Sequence, residues 1–374
     1  MNDGNILFFS GGTAMRAAAG ELAALTAGTM HIVTPFDSGG SSAAIRQSFA
    51  MPAVGDLRSR LLAVALSSCA SISAICKVLS YRLPDSITGA GPEFQQLCIG
   101  RHPLIAGLPE HAMRVVTNWL KAFQKAMPDD FPLPGASVGN LFIAGGYLDE
   151  HRKLDTVIKV FADLVKARAT VLPVVDADMH LAVRLESGRI IVGQHLFTGK
   201  ECGSIDSPIA DIWLTESLFS SQKTQVNAPA GIRRLVTSAG LICYPVGSFY
   251  SSVIANLLPL GMGKAIVANP CPKLFIPNLG SDPELYGHTL EAQIERILEV
   301  VTADAGSLPS PGLAVSALLV DESTSYPGGL PESYLRKRGI KILIRRLVSE
   351  ESAPLADPLL LSKAIYGIWS ANCI

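Results

Sequence analysis

The sequence has no excess of charge of either sign and lacks the usual features of secreted and nucleic-acid-binding chains. Its 374 residues carry 31 Lys and Arg against 32 Asp and Glu, a formal net charge of −1 at pH 7. The lack of a basic excess argues against nucleic acid as the main partner. No apolar segment led by Lys or Arg opens the chain, so we expect no secretory signal. The seven cysteines form no C-x-x-C pair, which predicts reduced, mostly buried thiols in a cytoplasmic protein.

The sequence also lacks a clear membrane span and a nucleophilic signature. Its main apolar stretch, 61–79, approaches the length of a span, but several serines interrupt it and Lys77 lies near its end. We therefore predict a helix or a pair of helices buried in the protein, and no membrane partner. No Ser-His-Asp or Cys-His arrangement is evident, which fits chemistry that depends on positioning more than on a nucleophilic side chain.

A Gly-rich loop follows the first apolar run of the chain. The run 6–9 is typical of a strand buried on both faces, and the loop after it contains Gly11, Gly12 and Thr13. Residues 14–25 then predict a helix with one apolar face. A strand, a glycine turn and a helix start together direct backbone N–H groups at one spot, where a phosphate would bind. A tight strand-to-helix connection is the alternative, and the loop lacks the full G-x-G-x-x-G fingerprint.

A second polar loop follows the second apolar run, 31–34. It contains Asp37 and then two glycines and two serines at 39–42. The carboxyl ends of neighbouring parallel strands meet at one edge of a sheet, so we expect both loops to line one crevice. An acid within such a Gly-Ser loop suits a metal ion or a phosphate better than a ribose hydroxyl.

A third polar motif, at 55–58, precedes the next apolar helix and adds a carboxylate and a guanidinium. Asp56 is either the N-cap of that helix or, together with Asp37, a ligand for Mg²⁺ held against a diphosphate. In the second case Arg58 and Arg46 would neutralise the negative charge that develops on the phosphates.

The second half of the sequence repeats the strand-loop-helix pattern. Residues 241–244 predict a strand, Gly247 and Ser248 lie in its loop, and a helix follows. The start of that helix, which includes Ser252, would offer amides and hydroxyls to an anion, and Tyr250 would stack on a base. An ordinary β-α connection is the alternative. Two facing phosphate cradles predict one ligand with a diphosphate between them, such as a nucleoside diphosphate or a nucleotide sugar.

The remaining segments are less informative. The stretch 82–134 is rich in proline and short helical pieces, which predicts an inserted subdomain or a lid over the crevice. Residues 181–185 and 190–194 predict a β-hairpin, and 265–268 predict a strand. Asn140 lies at a helix start, where it either caps the helix or contacts a base or a sugar.

Five motifs occur in the order seen in the CofD/YvcK superfamily, which the sequence resembles. The superfamily comprises the 2-phospho-L-lactate transferases and the YvcK-type proteins called gluconeogenesis factors. The matching motifs are GGT at 11–13, V-T-x-x-D-x-G-G-S-S at 33–42, P-x-x-G-D-x-R at 52–58, G-A-S-V-G-N at 135–140 against the pattern G-H-S-x-G-N, and G-S-x-Y-x-S-x-I-x-N-L-L at 247–258. Together they are spread over most of the chain and are far more specific than any one motif.

The sequence departs from the superfamily pattern at several positions. YvcK-type members usually carry a second acid where this chain has Ser38, and a glycine where it has Ala14. Ala136 replaces a histidine, and Pro245 replaces the first residue of a Gly-Pro pair. The lost acid at position 38 would weaken a metal site.

The resemblance implies a fold and an assembly. The fold would be a single α/β domain over 1–374, with a three-layer, Rossmann-like and mostly parallel sheet, a helical insertion at 82–134 and a β-hairpin. It also implies a homodimer. Some superfamily members are encoded beside kinase-like proteins, so a kinase-like partner protein is a further expectation.

The resemblance implies two alternative functions. In the first, a CofD-like transferase moves a phosphate-linked group, of the 2-phospho-L-lactate or phosphoenolpyruvate type, from a nucleoside-diphosphate-linked donor to an acceptor hydroxyl, assisted by Mg²⁺. In the second, a YvcK-like regulator of carbon metabolism or cell-wall synthesis binds GDP or a UDP-sugar without turnover. An NAD-dependent oxidoreductase is disfavoured by the incomplete glycine fingerprint.

The predicted site collects residues from all of these motifs. Asp37, Asp56 and Arg58 would be catalytic, and the two aspartates would hold Mg²⁺. The residues predicted to contact the nucleotide or its phosphates are Gly11, Gly12, Thr13, Gly39, Gly40, Ser41, Ser42, Asn140, Gly247, Ser248, Tyr250 and Ser252.

Overall fold

The computed structural model describes residues 4–66, 68–199 and 202–371, and these ranges contain two sheets. The strands are β1 (Ile6–Ser10), β2 (Thr29–Val33), β3 (Thr170–Pro173), β4 (His180–Leu185), β5 (Ile190–Val192), β6 (Ile209–Thr215), β7 (Leu241–Tyr244), β8 (Lys273–Phe275), β9 (Ala317–Asp321) and β10 (Lys341–Arg345). Seven of them form a parallel sheet in the order β10-β9-β8-β7-β1-β2-β3. The other three form a small antiparallel sheet in the order β5-β4-β6.

Helices surround the parallel sheet. The α-helices are α1 (Arg16–Leu25), α2 (Gly40–Phe49), α3 (Gly55–Ala63), α4 (Ala70–Ser80), α5 (Ile87–Cys98), α6 (Pro103–Ala106), α7 (Glu110–Ala126), α8 (Val138–Asp149), α9 (Leu154–Val165), α10 (Ala230–Ser238), α11 (Ala255–Leu257), α12 (Met262–Ala268), α13 (Leu290–Ala305), α14 (Glu332–Arg338) and α15 (Pro358–Ala371). The described residues also form one π-helical segment, Phe249–Ile254, and the 3-10 turns Gln194–Leu196, Pro283–Leu285 and Pro311–Leu313.

The strands of the parallel sheet are covered on both faces. Every residue of β1, β2, β7 and β9 is buried, which is why these segments read as apolar runs in the sequence. Successive side chains of a strand point to opposite faces, so Ile6 and Phe8 pack in the core with α1 and α15, whereas Leu7 and Phe9 pack in the core with α12 and α13. The α/β fold with a mostly parallel sheet and a β-hairpin is therefore confirmed.

The order of the strands places a crevice at the centre of the sheet. The chain runs outward from β1 through β2 to β3, then returns to β7, beside β1, and runs outward again to β10. Such a reversal separates the loops that follow the two central strands and leaves a space between them. The loops after β1 and β7 therefore face each other at the carboxyl edge of the sheet.

The segment 82–134 lies on the helical side of the molecule. Its longest helix, α7, packs along α8, and its apolar residues share one core with α3, α4, α8 and α9. The stretch 61–79 falls in the helix pair α3 and α4, as predicted, with Ser67 outside the described residues. Among the residues that the structure describes, no helix is both long enough and apolar enough to cross a membrane.

The prediction of a strand at 265–268 is wrong. These residues belong to α12. The residue before this helix, Gly261, has a left-handed backbone conformation (φ 89°). The buried residues Met262 and Ile266 are four positions apart, and this spacing places them on one face of a helix. A short apolar run does not distinguish a strand from a buried helix, and the strand of this region, β8, lies at Lys273–Phe275.

His31 in β2 is fully buried, and neither of its ring nitrogens has a hydrogen-bond partner among the described residues. Burial, and to a smaller extent Arg60, holds the pKa of His31 well below its ordinary value. Below pH 6.5 the unfolded chain therefore binds a proton at this position that the folded protein does not. The free energy of unfolding should consequently fall as the pH falls from about 6.5.

We predict that His31→Phe raises the free energy of unfolding at pH 7 by about 1 kcal/mol, because two unsatisfied buried nitrogens are removed and the stacking on Phe8 is kept. Below pH 6.5 the free energy of unfolding should also depend less on pH in the variant, by up to about 1.4 kcal/mol per pH unit. Urea unfolding between pH 7.5 and 4.5 measures both quantities. His111→Phe, on the exposed face of α7, is the control, and an unchanged slope in His31→Phe would contradict the prediction.

Candidate functional site

The carboxyl ends of β1 and β7 open into a cavity of about 650 Å³. Its walls are the loops after β1, β2 and β7, the start of α3, and the 3-10 turn after β5. The predicted site residues that line it are Gly11, Gly12, Thr13, Asp37, Gly39, Gly40, Ser41, Ser42, Asp56, Arg58, Asn140, Gly247, Ser248 and Ser252. The sequence motifs therefore do converge on one site, and the helical segment 82–134 contributes only Arg82 to the wall.

The loop after β1 leaves its amides available to a ligand. The backbone N–H groups of residues 11–14 donate to no acceptor within the described part of the chain. Two carbonyls at the ends of the loop, in contrast, accept hydrogen bonds from Arg60, which donates to the oxygens of Gly11 at 2.6 Å and Met15 at 2.8 Å. A loop whose carbonyls are bound by a cation and whose amides are unpaired is suited to an anion.

Arg60 is itself fully buried. Burial lowers its pKa to about 10, although Asp56 acts in the opposite direction. The guanidinium therefore remains charged at neutral pH. Removing this cation would leave the carbonyls of Gly11 and Met15 without their donor, so Arg60 is a structural requirement of this loop.

Gly12 allows the loop to lie directly on α3. A Cβ atom at this position would lie only 2.9 Å from Cγ of Asp56 and 3.2 Å from its Cα. The glycine is thus required by the close approach of the loop to Asp56. This contact also places the Asp56 carboxylate at the same point of the cavity wall as the unpaired amides of the loop.

The loop after β2 supplies the second group of amides. Asp37 accepts the N–H of Gly39 at 3.1 Å, and α2 begins at the next residue. The amides of Gly40, Ser41 and Ser42 form the first turn of α2 and donate to no acceptor among the described residues. Because the dipole of this ten-residue helix adds to them, the start of α2 also favours an anion in the cavity.

Arg46 does not reach the cavity, so the prediction that it neutralises phosphate charge is wrong. It is 4% exposed, and its guanidinium binds Asp178 at 2.6 Å. It also donates to the carbonyls of Phe36 at 3.2 Å and Asp37 at 2.9 Å. Arg46 therefore holds the loop after β2 by its carbonyls, as Arg60 holds the loop after β1.

Arg58 is the central cation of the cavity. Its Nη1 donates to Ser137 Oγ, and its Nε is buried without a partner among the described residues. Burial and then the nearby cations Arg82 and Arg16 lower its pKa to about 10, with Asp56 acting in the opposite direction. A cluster of three arginines repels itself in the absence of an anion, so a phosphate bound among them would be stabilised.

Asn140, in α8, contacts the start of α2. Its Nδ2 donates to Ser41 Oγ at 3.1 Å, and its buried Oδ1 has no donor among the described residues. A Cβ atom added to Gly55, the first residue of α3, would lie 3.6 Å from Asp37 Oδ2 and 3.8 Å from Asn140 Nδ2. The carboxylate of Asp37 and the amide of Asn140 therefore both lie close to Gly55.

The start of the helix after β7 is capped by the chain itself. Asp282 accepts the amide of Phe249 at 2.9 Å, and Glu284 accepts the amides of the next two residues, each at 2.8 Å. These carboxylates take the positions that the sequence prediction gives to a phosphate. The helix start therefore does not offer the predicted second cradle, although the side chain of Ser248 lines the cavity.

The prediction that Tyr250 stacks on a base is also wrong. The ring is completely buried in the core beside the sheet, and its hydroxyl lies 3.1 Å from both the carbonyl oxygen of Ile209 and Nε2 of His288. Burial raises the pKa of Tyr250 to about 12. The segment Phe249–Ile254 forms a π-helix in place of the predicted α-helix, and this winding accompanies the turning of Tyr250 into the core.

Asp37 and Asp56 fit an Mg²⁺ ion only in part. Both carboxylates line the cavity, on the loop after β2 and at the start of α3. No group of three or more His, Cys, Asp or Glu side chains suited to a metal occurs among the described residues. Mg²⁺ commonly takes one or two carboxylates and completes its shell with water and phosphate oxygens, so the two aspartates suit an ion that arrives with a phosphate ligand.

Sequence reasoning missed several residues of the site. Gln194 and His195, in the 3-10 turn after β5, line the cavity, and so do Asn278 and Asp282 from the loop after β8. The buried Arg60 was missed as well. The only signal for the first pair was their position at the end of a predicted hairpin. No pattern in the sequence distinguishes Arg60 from the other arginines.

The fold and the cavity define an α/β protein with a ligand site at the carboxyl edge of a parallel sheet. Within this class, the chain belongs to the CofD family, because the family model described as 2-phospho-L-lactate transferase CofD matches residues 6–342. This membership confirms the resemblance to the CofD/YvcK superfamily.

Similar proteins agree with this membership. The gluconeogenesis factor of Bacillus subtilis is 25% identical over 291 residues, which cover 76% of this chain and 70% of that protein. The gluconeogenesis factor of Halalkalibacterium halodurans is 24% identical over 305 residues, or 80% of this chain and 74% of that protein. The crystal structure of a UPF0052 family member from Bacillus halodurans has the same fold, with a TM-score of 0.70, 21% identity and coverage of 97% of this chain and 98% of that chain.

We predict that Arg60→Lys lowers the free energy of unfolding by about 2 kcal/mol, because the guanidinium reaches the two carbonyls with two separate nitrogens, Nη1 and Nη2, and lysine has only one nitrogen on a differently shaped side chain. The loop after β1 should also lose its arrangement, so the affinity for pyrophosphate should fall. Urea unfolding and calorimetric titration with pyrophosphate measure the two effects. Arg114→Lys, on the exposed face of α7, is the control. A folded Arg60→Lys variant with normal affinity would contradict the role given to Arg60.

Proposed function

We propose that this protein binds a nucleoside-diphosphate-linked donor in the cavity and transfers its phosphate-linked group to an acceptor hydroxyl. The observation that carries this proposal is the convergence of two sets of unpaired amides, at residues 11–14 and at the start of α2, on a cavity that also contains Arg58. Membership of the CofD family supports the reaction class.

The charge distribution favours a diphosphate. Arg58 lies among the cations Arg82 and Arg16, and the helix dipole of α2 adds partial positive charge from another direction. Across the cavity, Asp282 and Glu284 already cap the helix after β7. The negative part of the ligand would therefore lie against the loops after β1 and β2, and its less charged part would lie toward the loop after β7.

The size of the cavity suits a nucleotide-linked molecule. Sites for small molecules and cofactors usually measure about 300–1,000 Å³, and this cavity measures about 650 Å³. Asn140 and Gln194 each present an acceptor oxygen that is buried without a donor among the described residues. Such oxygens suit the N–H groups of a base or the hydroxyls of a sugar.

The residues of this chain would act by positioning and by electrostatic stabilisation. The unpaired amides would orient the phosphates, and Arg58 would stabilise the negative charge that develops as the bond to the leaving nucleoside monophosphate lengthens. Asp37 and Asp56 would hold Mg²⁺, which when bound supplies further neutralisation of phosphate charge. No covalent nucleophile on the protein is needed for such a transfer.

A second candidate function is binding without turnover. Two relatives that align with more than two thirds of this chain are named gluconeogenesis factors. In this alternative the same cavity would hold a nucleotide or a nucleotide sugar as a metabolic signal, and the protein would pass this signal to a partner. The amides and Arg58 would then serve binding alone.

Calorimetric titration combined with ³¹P NMR separates the two candidates. The probes are GDP, UDP-N-acetylglucosamine and GDP-mannose, each with and without Mg²⁺, and glycerol serves as a simple acceptor. Binding followed by release of nucleoside monophosphate would support the transferase. Binding without consumption would support the second candidate, and binding of none of the three would contradict both.

We predict that Arg58→Gln weakens GDP binding by about tenfold to a hundredfold, the range expected for the loss of one hydrogen-bonded charge. Titration calorimetry measures the affinity. Arg114→Gln removes a charge from the exposed face of α7 and should bind GDP as the unmodified protein does. Equal affinities of the two variants would exclude Arg58 from the binding site.

We predict that Asp37→Asn abolishes the part of GDP affinity that depends on Mg²⁺, because a carboxylate ligand is lost. Affinity in EDTA should remain within about twofold, since the amides and Arg58 are unchanged. Asp129→Asn, at an exposed position away from the cavity, is the control. A persistent response to Mg²⁺ in Asp37→Asn would show that the metal is held elsewhere or is not held by this residue.

A further inference from the structure

Ser38 connects the loop after β2 to the small antiparallel sheet. Its hydroxyl oxygen lies 2.7 Å from Nδ1 of His195 and accepts the backbone N–H of the same residue at 3.3 Å. The side chain of Ser38 is only 4% exposed. The position at which the superfamily pattern has a second acid therefore serves here to hold a histidine that belongs to the turn Gln194–Leu196.

The ring of His195 is held in one orientation. Gly193 adopts φ 106°, and a Cβ atom there would lie 2.9 Å from Cε1 and 3.1 Å from Nδ1 of His195. The absence of a side chain at Gly193 thus provides the space for the ring. With Nδ1 bound to Ser38, the other nitrogen, Nε2, has no hydrogen-bond partner in residues 4–66, 68–199 and 202–371, and the half-buried ring lines the cavity.

The other ionisable groups of the cavity wall have different tasks. Asp282 accepts hydrogen bonds from the loop after β7 and from Asn278. Asp37 and Asp56 are the candidate ligands of a metal that is bound with phosphate. Among the described residues, the other ionisable groups of the wall are the guanidinium groups of Arg58 and Arg82. His195 is the one imidazole among the described residues of the wall, and a neutral imidazole is the most common proton acceptor in enzymes.

We propose that His195 is the proton acceptor of the transfer reaction and that Ser38 is its positioning residue; this inference rests on the transferase proposed above. Nδ1 carries the ring proton and donates a hydrogen bond to Ser38 Oγ, so Nε2 keeps a lone pair with which it accepts a proton. The oxygen of the acceptor hydroxyl forms a bond to phosphorus, and its proton passes to Nε2. The bond between that phosphorus and the bridging oxygen breaks, and the electron pair leaves with the nucleoside monophosphate.

The first measurement is the tautomer of His195 in the full-length protein, read by long-range ¹H–¹⁵N NMR on histidine-labelled samples. The signals of His195 are assigned by their loss in His195→Gln. We expect a proton on Nδ1 and none on Nε2. In Ser38→Ala this preference should be lost, and Ser38→Thr, which keeps the hydroxyl, should restore it. A purely structural role of Ser38 would not predict this pattern. A proton found on Nε2 in the unmodified protein would overturn the proposal.

The second measurement separates chemistry from binding. With UDP-N-acetylglucosamine or GDP-mannose as donor, glycerol as acceptor and Mg²⁺ present, His195→Gln should release nucleoside monophosphate about 10²–10⁴-fold more slowly. Its affinity for GDP should stay within about twofold, because the phosphate-binding amides and Arg58 are unchanged. Ser38→Ala should show a smaller decrease in rate with the same affinity. His111→Gln, on the exposed face of α7, is the control.

The outcomes distinguish this inference from the proposed function. If the unmodified protein releases nucleoside monophosphate and His195→Gln does so at the same rate, His195 is not the proton acceptor, while the transferase stands. If the protein binds GDP but consumes neither donor, no proton acceptor is required and the inference is overturned together with the transferase, while ligand binding stands. If GDP does not bind, the proposed function fails and this inference with it.

Discussion

The candidate site depends on two buried arginines that hold the carbonyl oxygens of two loops. Arg60 binds the carbonyls of Gly11 and Met15, and Arg46 binds those of Phe36 and Asp37. A buried carbonyl needs a donor, and a charged guanidinium with five N–H groups satisfies several carbonyls at once. The amides of residues 11–14 and of the first turn of α2, in contrast, have no acceptor among the described residues and lie at the wall of the cavity. The protein therefore arranges these groups before any ligand binds: the arginines contact the carbonyls in the interior, and the amides lie at the cavity.

The two halves of the sheet use the same strand-loop-helix geometry in opposite ways. In the part of the chain that the structure describes, the amides of the loop after β1 have no acceptor, whereas the helix after β7 is capped by Asp282 and Glu284 from the loop after β8. A carboxylate of the protein and a phosphate of a ligand would bind the same amides at a helix start. At the helix after β7, carboxylates of the protein occupy that position. The anion site is consequently one-sided, which restricts how an asymmetric ligand would lie between β1 and β7.

Ser38 illustrates how a departure from a family pattern is understood only with its spatial neighbours. Considered along the chain, it is a lost acid and a weakened metal site. In three dimensions it is the hydrogen-bond partner of His195, which lies 157 positions away in the sequence. The residue that replaces the acid therefore holds an imidazole at the cavity wall.

The sequence by itself determined the α/β class, the position of the polar loops after the strands and the membership of the superfamily. These features depend on short-range patterns: apolar runs for buried strands, Gly-Ser-Asp clusters for loops, and motif order. It did not distinguish the strand predicted at 265–268 from the helix α12, because a short apolar run fits both.

Only the tertiary structure decided which groups are available to a ligand. Arg46 and Arg58 are both arginines near a polar loop, yet one binds carbonyls in the interior and the other lines the cavity. Tyr250 belongs to a matching motif, yet its ring is in the core. Whether a polar group is unpaired depends on residues that are distant in the sequence, such as Glu284 for the helix after β7 and Ser38 for His195. Local patterns carry no information about such long-range hydrogen bonds, so the fold class was predictable and the roles of individual site residues were not.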